Sequence, residues 1–418
     1  MKAALLAIAS LAVSAAAADT DAAAGAINQL GLDLHRLLAK PGENLCLSPY
    51  SIQSALAMTF SGADGATREE MEKVLHFPKD DGIHASFSAL NRALGDVSAK
   101  TSQIATNAKK YGGPSEPLIL TMANRLFGQT GYEFRPAFVQ RLQGSYGAPM
   151  EMLNFRKAAE PARKHINDWV EEQTRKRIHD LLPMGMIKED TRLVLVNAVY
   201  LKAPWSSEFN AQVTRPAPFH VNGGAAQPVP TMNQQARYGF AQHEGFRAVA
   251  VPYTGGEVQF LILVPDKVDG LADVEKGLTA ATLAGLAKIK STKVILHLPK
   301  FRIEGSTIEL SDGLMALGMK TAFDKPKRSA NFDRMAPRTP EEYLYISNVL
   351  HKTFLALDEK GTEAAAATAV VMMKFEGAAP EQTKPVEVKV DRPFLFAIQH
   401  VPSGACLFLG RVNDPAAK

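Results

Sequence analysis

Residues 358–385 combine an acidic, glycine-containing start with a run of small side chains and then larger apolar ones. The segment reads DEKGTEAAAATAVVMMKFEGAAPEQTKP. In an extended strand, the even-numbered residues from Thr362 to Val370 share one face, and the odd-numbered residues from Glu363 to Ala369 share the other. Small side chains on both faces suit a strand that enters an already packed sheet, where extra methylenes can cost about 1–3 kcal/mol. Gly361 provides a permissive hinge position before this strand.

Local helix propensity offers a competing interpretation of the same residues. Alanine is the best helix former, so residues 363–374 taken alone favour a helix. That helix would lack an apolar stripe, because Ala364–Ala367 present no large side chain to bury. The stretch from Gly377 to Pro385 is polar, and the segment lies between two regions with strand-like patterns. These observations weaken the helix, and an extended strand with small side chains on both faces is the other interpretation of the segment.

The chain contains the residue types of catalysis but not their known arrangements. It has no Gly-x-Ser-x-Gly, His-Glu-x-x-His, Gly-x-Gly-x-x-Gly or Gly-x-x-x-x-Gly-Lys-Ser/Thr sequence. Cys46 and Cys406 lie too far apart in sequence for a metal motif, and either a disulfide or two buried free thiols fits them. We expect no enzymatic activity, no cofactor and no metal.

Hydrophobic periodicity predicts helices mainly in the first half of the chain. Apolar residues recur at helical spacing over residues 27–40 and 159–182. The dipeptide Ser48-Pro49 marks another helix start, and Thr67 with Glu70 fits a capping box.

Strands are predicted mainly in the second half. Leu193–Leu201 is an almost continuous apolar run, as expected for a strand covered on both faces. Thr254-Gly255-Gly256 is a turn signal for a hairpin. The predicted strands are residues 193–201, 246–251, 258–264, 294–298, 386–390, 394–398 and 407–409. Because βαβ regularity and a Pro/Gly/Ser linker are both absent, we predict a single α+β domain.

The N-terminus resembles a secretory signal peptide. Lys2 precedes an apolar run, and Ala16–Ala18 offer a cleavage site before Asp19. We predict a signal peptide at residues 1–18, one domain at 19–418, and a secreted protein that is extracellular or periplasmic. No later segment is apolar for long enough to span a bilayer. The formal net charge is +4, and removal of Lys2 would leave +3, which is too mild to indicate a nucleic-acid partner.

Six sequence blocks, in order, resemble conserved blocks of the serpin family. They are NLCLSPYSIQSALAM, LVLVNAVYLKAPW, LHLPKFRIEG, NVLHKTFLALDEKG, DRPFLFAI and LFLGRVNDP. Within this series, DEKGTEAAAATA resembles the proximal hinge of inhibitory serpins. The resemblance covers nearly the whole chain after the signal. It implies a fold of three β-sheets surrounded by eight or nine helices, with an exposed reactive-centre loop at about residues 359–385.

The resemblance also implies a bait bond within that loop. Serpins are cut at a nearly fixed distance from the hinge acid, and counting from Glu359 gives the bond Phe375–Glu376. Phe375 would suit a chymotrypsin-like or subtilisin-like protease, whereas Lys374, one residue earlier, would suit a trypsin-like one. The hinge residues implied are Glu359, Gly361, Thr362, Glu363, Ala364, Ala365, Ala366, Ala367 and Thr368.

Further residues are assigned by the same matched blocks. Glu359 resembles the acid that pairs with the lysine of LHLPK, here Lys300, where the loop enters the sheet, and Trp205 is expected nearby. An ordinary surface ion pair is the alternative. The residues expected where the central strands part are Ser48, Ser51, Asn197 and His351. A buried Asn197 needs a partner, for which His351 is the candidate, although His351 could also be a satisfied core histidine.

We therefore expect a monomeric inhibitor of serine endopeptidases that acts as a suicide substrate, without nucleic-acid or membrane partners. A non-inhibitory serpin that acts as a binding or carrier protein is one alternative, and a cross-class inhibitor of cysteine proteases is another. The uninterrupted small residues between Gly361 and Ala369 favour the inhibitor.

Overall fold

The computed structural model describes residues 2–110, 116–221, 224–339, 342–363 and 384–417, without the side chains of residues 2–19, 122–124 and 197. Nine α-helices lie in these ranges: α1 Lys2–Leu38, α2 Pro49–Phe60, α3 Gly65–Val74, α4 Gly82–Lys109, α5 Pro136–Tyr146, α6 Phe155–Gln173, α7 Leu271–Gly277, α8 Ala280–Gly285 and α9 Ser311–Leu317.

Seventeen strands accompany them in the same ranges. They are β1 Leu45–Leu47, β2 Ile119–Gln129, β3 Met150–Leu153, β4 Leu193–Pro204, β5 Arg215–His220, β6 Ala226–His243, β7 Phe246–Pro252, β8 Val258–Pro265, β9 Ser291–Pro299, β10 Phe301–Glu304, β11 Ile308–Glu309, β12 Leu350–His351, β13 Phe354–Asp358, β14 Gly361–Thr362, β15 Val386–Lys389, β16 Phe394–His400 and β17 Ala405–Val412.

The strands form three sheets in the described part of the chain. The largest has the order β1-β17-β16-β8-β7-β6-β9-β15, with β5 paired to β6. A six-stranded sheet has the order β10-β13-β14-β4-β2-β3, and β11 pairs with β12. The predicted α+β class, with three sheets and eight or nine helices, is confirmed.

Local sequence signals account for the best predicted elements. The Ser48 side chain caps α2 by accepting a hydrogen bond from the backbone N of Ser51 at 3.2 Å. The predicted hairpin is formed by β7 and β8, which pair antiparallel. Its turn contains Gly255 and Gly256 at φ 88° and 73°, values that favour glycine.

Strand β4 contributes to two hydrophobic clusters, which explains its continuous apolar sequence. Val196 and Ala198 pack in a smaller cluster with residues of α6, including Ile166. Val199 and Leu201 belong to the main core. Because both faces of β4 are covered, neither face needs polar side chains.

The predicted helix over residues 159–182 is too long. Helix α6 ends at Gln173, and the next residues include Arg175 and Lys176 at φ 50° and 61°, which is incompatible with helix continuation. Ile178 and Leu181 are buried nevertheless, because the loop after α6 folds back onto the smaller cluster. Their helical spacing therefore reflects burial rather than a helix.

The predicted capping box of Thr67 and Glu70 is also wrong. The residue that precedes α3 is Asp64, and its side chain makes no capping hydrogen bond. Thr67 Oγ1 instead accepts from the backbone N of Asn331 at 3.0 Å. The Glu70 carboxylate accepts from the backbone N of Thr321 at 2.7 Å. Both side chains tether a distant loop rather than their own helix.

Helix α1 continues upstream of the predicted helix at residues 27–40 and includes the predicted signal segment. Leu30 and Leu34 are fully buried, whereas Leu37 is exposed. No helix among the described residues is both long and apolar enough to cross a membrane. The signal peptide and the domain limits stay predictions.

Candidate functional site

In the six-stranded sheet, the two-residue strand β14 lies between the C-terminal ends of β4 and β13. We call the rest of the space between β4 and β13, where no described strand pairs with either, the slot. Thr362 pairs with Ala203 of β4 on one side and with Leu357 of β13 on the other, both antiparallel. Gly361 pairs with Pro204 and Asp358 in the same way. Among the described strands, β4 otherwise pairs with β2 and β13 with β10. The two flanking strands are thus joined through β14 alone in the part of the chain described.

Trp205 holds the turn that delivers β14 into the slot. Its indole is fully buried, and Nε1 donates to the carbonyl oxygen of Asp358 at 2.9 Å. Its backbone N donates to the carbonyl oxygen of Lys360 at 2.8 Å. The indole also stacks on Tyr253, with ring centroids 4.6 Å apart. These contacts place Trp205 against the turn that carries Glu359.

The predicted partners Glu359 and Lys300 form an ion pair at this turn. Lys300 Nζ lies 2.8 Å from Glu359 Oε2, and Thr214 Oγ1 donates to Glu359 Oε1 at 2.8 Å. Burial alone would raise the pKa of Glu359, but the hydrogen bonds from Lys300 and Thr214 outweigh it and hold the pKa below its usual value. The carboxylate is therefore charged when the turn is formed.

Gly361 and Thr362 fit the slot for different reasons. Gly361 has φ 148° and approaches β4 so closely that a Cβ atom would lie 2.1 Å from the Ala203 carbonyl oxygen. Thr362 faces the main core, where it is 2% exposed and its hydroxyl hydrogen-bonds to the hydroxyl of Tyr253. A larger or charged side chain at either position would meet backbone or buried core.

Glu363 is the last predicted hinge residue that the structure describes. Its side chain lies on the face of the sheet opposite to that of Thr362. Its backbone N donates to the Ala356 carbonyl oxygen at 2.7 Å, and Arg177 Nε lies 2.5 Å from its Oε1. Thr362 and Glu363 thus lie on opposite faces, although Glu363, at φ 48°, follows β14 and is not in the extended conformation of a strand. The remaining hinge residues Ala364–Thr368, and the bait residues Lys374, Phe375 and Glu376, lie outside the described residues.

Three of the four residues predicted where the strands part form one buried network. The backbone N of Ser48 donates to His351 Nε2 at 3.0 Å, and Ser48 Oγ donates to the Leu407 carbonyl oxygen at 2.7 Å. Ser51 joins through its backbone N. Burial lowers the pKa of His351 to about 4, so the ring is a neutral acceptor at pH 7. The predicted Asn197 contact depends on a side chain that is not described.

The residues that complete this site had little signal in the sequence. Tyr253 and Thr214 are distant in sequence from the residues they contact, and Arg177 lies in a segment predicted as helix. Tyr253 alone could have been found, since it immediately precedes the predicted turn.

The two cysteines are free thiols buried in the core. Burial raises the pKa of Cys46 to about 12 and raises that of Cys406 as well, so neither is a reactive thiolate near pH 7. In the described portion, no cluster of three or more His, Cys, Asp or Glu residues could hold a metal ion.

Comparisons with known proteins agree with this arrangement. The sequence model of the family described as serpin (serine protease inhibitor) matches residues 25–415. A leukocyte elastase inhibitor of Sus scrofa is 37% identical over 398 residues, which cover 93% of this chain and 98% of the relative. An uncharacterised serpin-like protein of Thermococcus kodakarensis is also 37% identical, over 93% of this chain and 85% of its own.

Solved structures of both cleaved and uncleaved proteins are similar to this fold. Cleaved Serpin 42Da superposes with a TM-score of 0.77 at 28% identity, covering 95% of this chain and 99% of its own. Uncleaved ovalbumin superposes with a TM-score of 0.76 at 28% identity, covering 94% and 99%. With the family model matching residues 25–415, these similarities lead to one conclusion: this chain belongs to the serpin family.

Proposed function

We propose that this protein inhibits a serine endopeptidase as a suicide substrate, and that the slot between β4 and β13 accepts the cleaved loop. As a serpin it is a protease inhibitor and not a catalytic enzyme. The observation that carries the proposal is β14, where two hinge residues are already paired with both flanking strands. A strand that continued from Thr362 would find unpaired neighbours on each side among the described residues.

The positions along the slot support the insertion of the apolar part of the loop. If the register of Thr362 with Ala203 continued for ten residues along both strands, Met372 would lie opposite Leu193. If the register of Thr362 with Leu357 continued for eight residues, Val370 would lie opposite Val349. Leu193 and Val349 both line a cavity of about 100 Å³ at the base of the sheet. Both registers would bring an apolar side chain of the loop to a cavity lined mainly by apolar residues.

The proposed chemistry uses the nucleophile of the protease. Its serine attacks the carbonyl carbon of Phe375, the bond to Glu376 breaks, and an acyl-enzyme forms while Glu376 becomes a new N-terminus. The residues from Thr362 to Phe375 then add to the sheet, and about 14 residues at about 3.3 Å each span roughly 46 Å. A compact chain of this size is roughly 55 Å across. The linked protease would be carried across most of the inhibitor before water could release it.

Phe375 as bait residue supports a chymotrypsin-like or subtilisin-like target, and Lys374 would instead support a trypsin-like one. The relatives named leukocyte elastase inhibitors make elastase a further candidate. We also propose export, with cleavage of the signal peptide before Asp19, and a monomeric state. N-terminal sequencing of the protein purified from its natural host tests the export proposal, which fails if residues 1–18 are retained.

The decisive experiment incubates the protein with chymotrypsin, subtilisin, elastase and trypsin. We expect an SDS-stable complex with at least one of them. Mass spectrometry of the released peptide is expected to give residues 376–418, and a peptide starting at Phe375 would move the bait to Lys374. Cleavage without a complex, and without gain in heat stability of the cleaved protein, would favour the carrier alternative. The same assay with papain tests cross-class inhibition.

A further inference from the structure

Three residues with strained backbones lie in two segments that contact each other through Arg177 and Glu363, next to β14. Arg175, Lys176 and Glu363 have φ values of 50°, 61° and 48°, in a region that non-glycine residues seldom occupy. Such strain persists only where surrounding contacts impose it. Two of the three residues lie in the loop after α6, and the third, Glu363, directly follows β14.

The loop after α6 crosses the slot from one flanking strand to the other. The Arg175 guanidinium lies over the ring of Tyr200 on β4, 5.6 Å from its centroid. The Arg177 guanidinium lies over the ring of Phe354 on β13, 5.2 Å from its centroid. This loop therefore contacts both strands that would have to accept a new neighbour.

Glu363 lies beneath this crossing. Its side chain is 9% exposed, and Arg177 Nε lies 2.5 Å from its carboxylate. Burial and the Glu363 carboxylate raise the pKa of Tyr200 to about 12, so this neighbour stays protonated. We call Arg177, Tyr200 and Glu363 the Glu363 clasp.

The clasp opposes the backbone change that insertion requires. An extended strand needs φ near −120° to −140°, whereas Glu363 stands at 48°. Rotation of its backbone to the extended region would displace the carboxylate that Arg177 binds, while it would relieve the local strain. The ion pair thus holds the hinge at the point where it would otherwise relax into the slot.

We propose that Arg177 is a positioning residue that restrains Glu363 and slows insertion of the uncleaved loop. The proposal rests on the proposed function, because it concerns how long the protein stays competent to inhibit. Loss of Arg177 should let the intact protein convert more readily to an inactive, loop-inserted form.

The test compares Arg177→Gln with the matched control Arg302→Gln. Arg302 also lies over the Phe354 ring, at 4.9 Å, but it pairs with Glu304 and not with Glu363. We expect the half-life of inhibitory activity at 37 °C to shorten roughly three- to tenfold in Arg177→Gln, as for a partly exposed ion pair. Arg177→Lys should fall between, and Arg302→Gln should match the unmodified protein.

A second variant and a second readout keep the proposal open to refutation. Glu363→Gln should shorten the half-life as Arg177→Gln does, and the double variant should add little, since both remove one contact. Conversion is also measured without protease, as the uncleaved fraction that gains heat stability. Equal conversion rates in all variants and the unmodified protein overturn the clasp. If the unmodified protein inhibits no protease while Arg177→Gln still speeds conversion to the loop-inserted form, the proposed function is wrong. The role of Arg177 in restraining Glu363 is then supported on its own.

Discussion

Gly361→Ala adds one methyl group where β14 contacts β4. The new Cβ would lie 2.1 Å from the Ala203 carbonyl oxygen and 2.8 Å from the Pro204 Cα. Both atoms belong to the backbone, so no side-chain rotation relieves the contact. The variant must either separate β4 from β14 or withdraw β14 from the sheet.

The size of the effect follows from what withdrawal removes. Seating β14 involves backbone pairing on both sides, the bond from Glu363 N to Ala356 and the hydroxyl contact of Thr362 with Tyr253. Three hydrogen bonds at about 0.5–1.5 kcal/mol each give about 1.5–4.5 kcal/mol. If this free energy is added to the barrier for insertion, insertion slows by roughly 10- to 2000-fold.

Stoichiometry of inhibition measures the slowing, because insertion competes with release of the protease by water. We expect the unmodified protein to consume about one inhibitor molecule for each protease molecule trapped. For Gly361→Ala, we expect many inhibitor molecules to be cleaved for each protease molecule trapped, with little SDS-stable complex. Gly245→Ala is the control: Gly245 also has positive φ, at 83°, but a Cβ there meets nothing within 4 Å. An unchanged stoichiometry in Gly361→Ala would refute the reasoning.

Three further predictions use the same assays or urea unfolding. Thr362→Arg places a charge at a position 2% exposed, and should turn the inhibitor into a substrate; retained complex formation contradicts this. Glu359→Gln removes a pair whose Lys300 side chain is 37% exposed, so the free energy of unfolding should fall by only about 1 kcal/mol, and a loss above about 3 kcal/mol contradicts it. Burial lowers the pKa of His351 to about 4, against about 6.5 when unfolded, so its contribution is complete above pH 6.5 and declines toward pH 4. Between pH 7 and pH 5, the free energy of unfolding should therefore fall less in His351→Gln than in the unmodified protein. An equal fall in both proteins contradicts this.

Sequence reasoning succeeded where the determining interactions are local or periodic. The apolar run of β4 and the hairpin glycines each specify their own conformation, because a fully covered strand and a positive-φ turn have few alternative sequences.

It failed where a side chain serves a distant segment. Thr67 and Glu70 have the spacing of a capping box, but their acceptors bind the backbone of Asn331 and Thr321, more than 200 residues away in sequence. The overlong α6 has the same origin, since Ile178 and Leu181 are buried by a loop that returns to the cluster beside α6. A pattern of burial predicts which residues are covered, and the covering element can differ.

The mouth of the slot shows why the first hinge residues differ in chemistry. The core face offers Thr362 a single hydroxyl partner, Tyr253, in fully buried surroundings, so a small neutral side chain fits there and a charge would be stranded. The opposite face offers Glu363 the guanidinium of Arg177, so a carboxylate is matched at that position. The order Gly-Thr-Glu is therefore dictated in turn by a backbone approach, a buried hydroxyl and a basic residue. Arg177 and Tyr253 are the groups that set the last two requirements, and only the folded sheet brings them to the hinge.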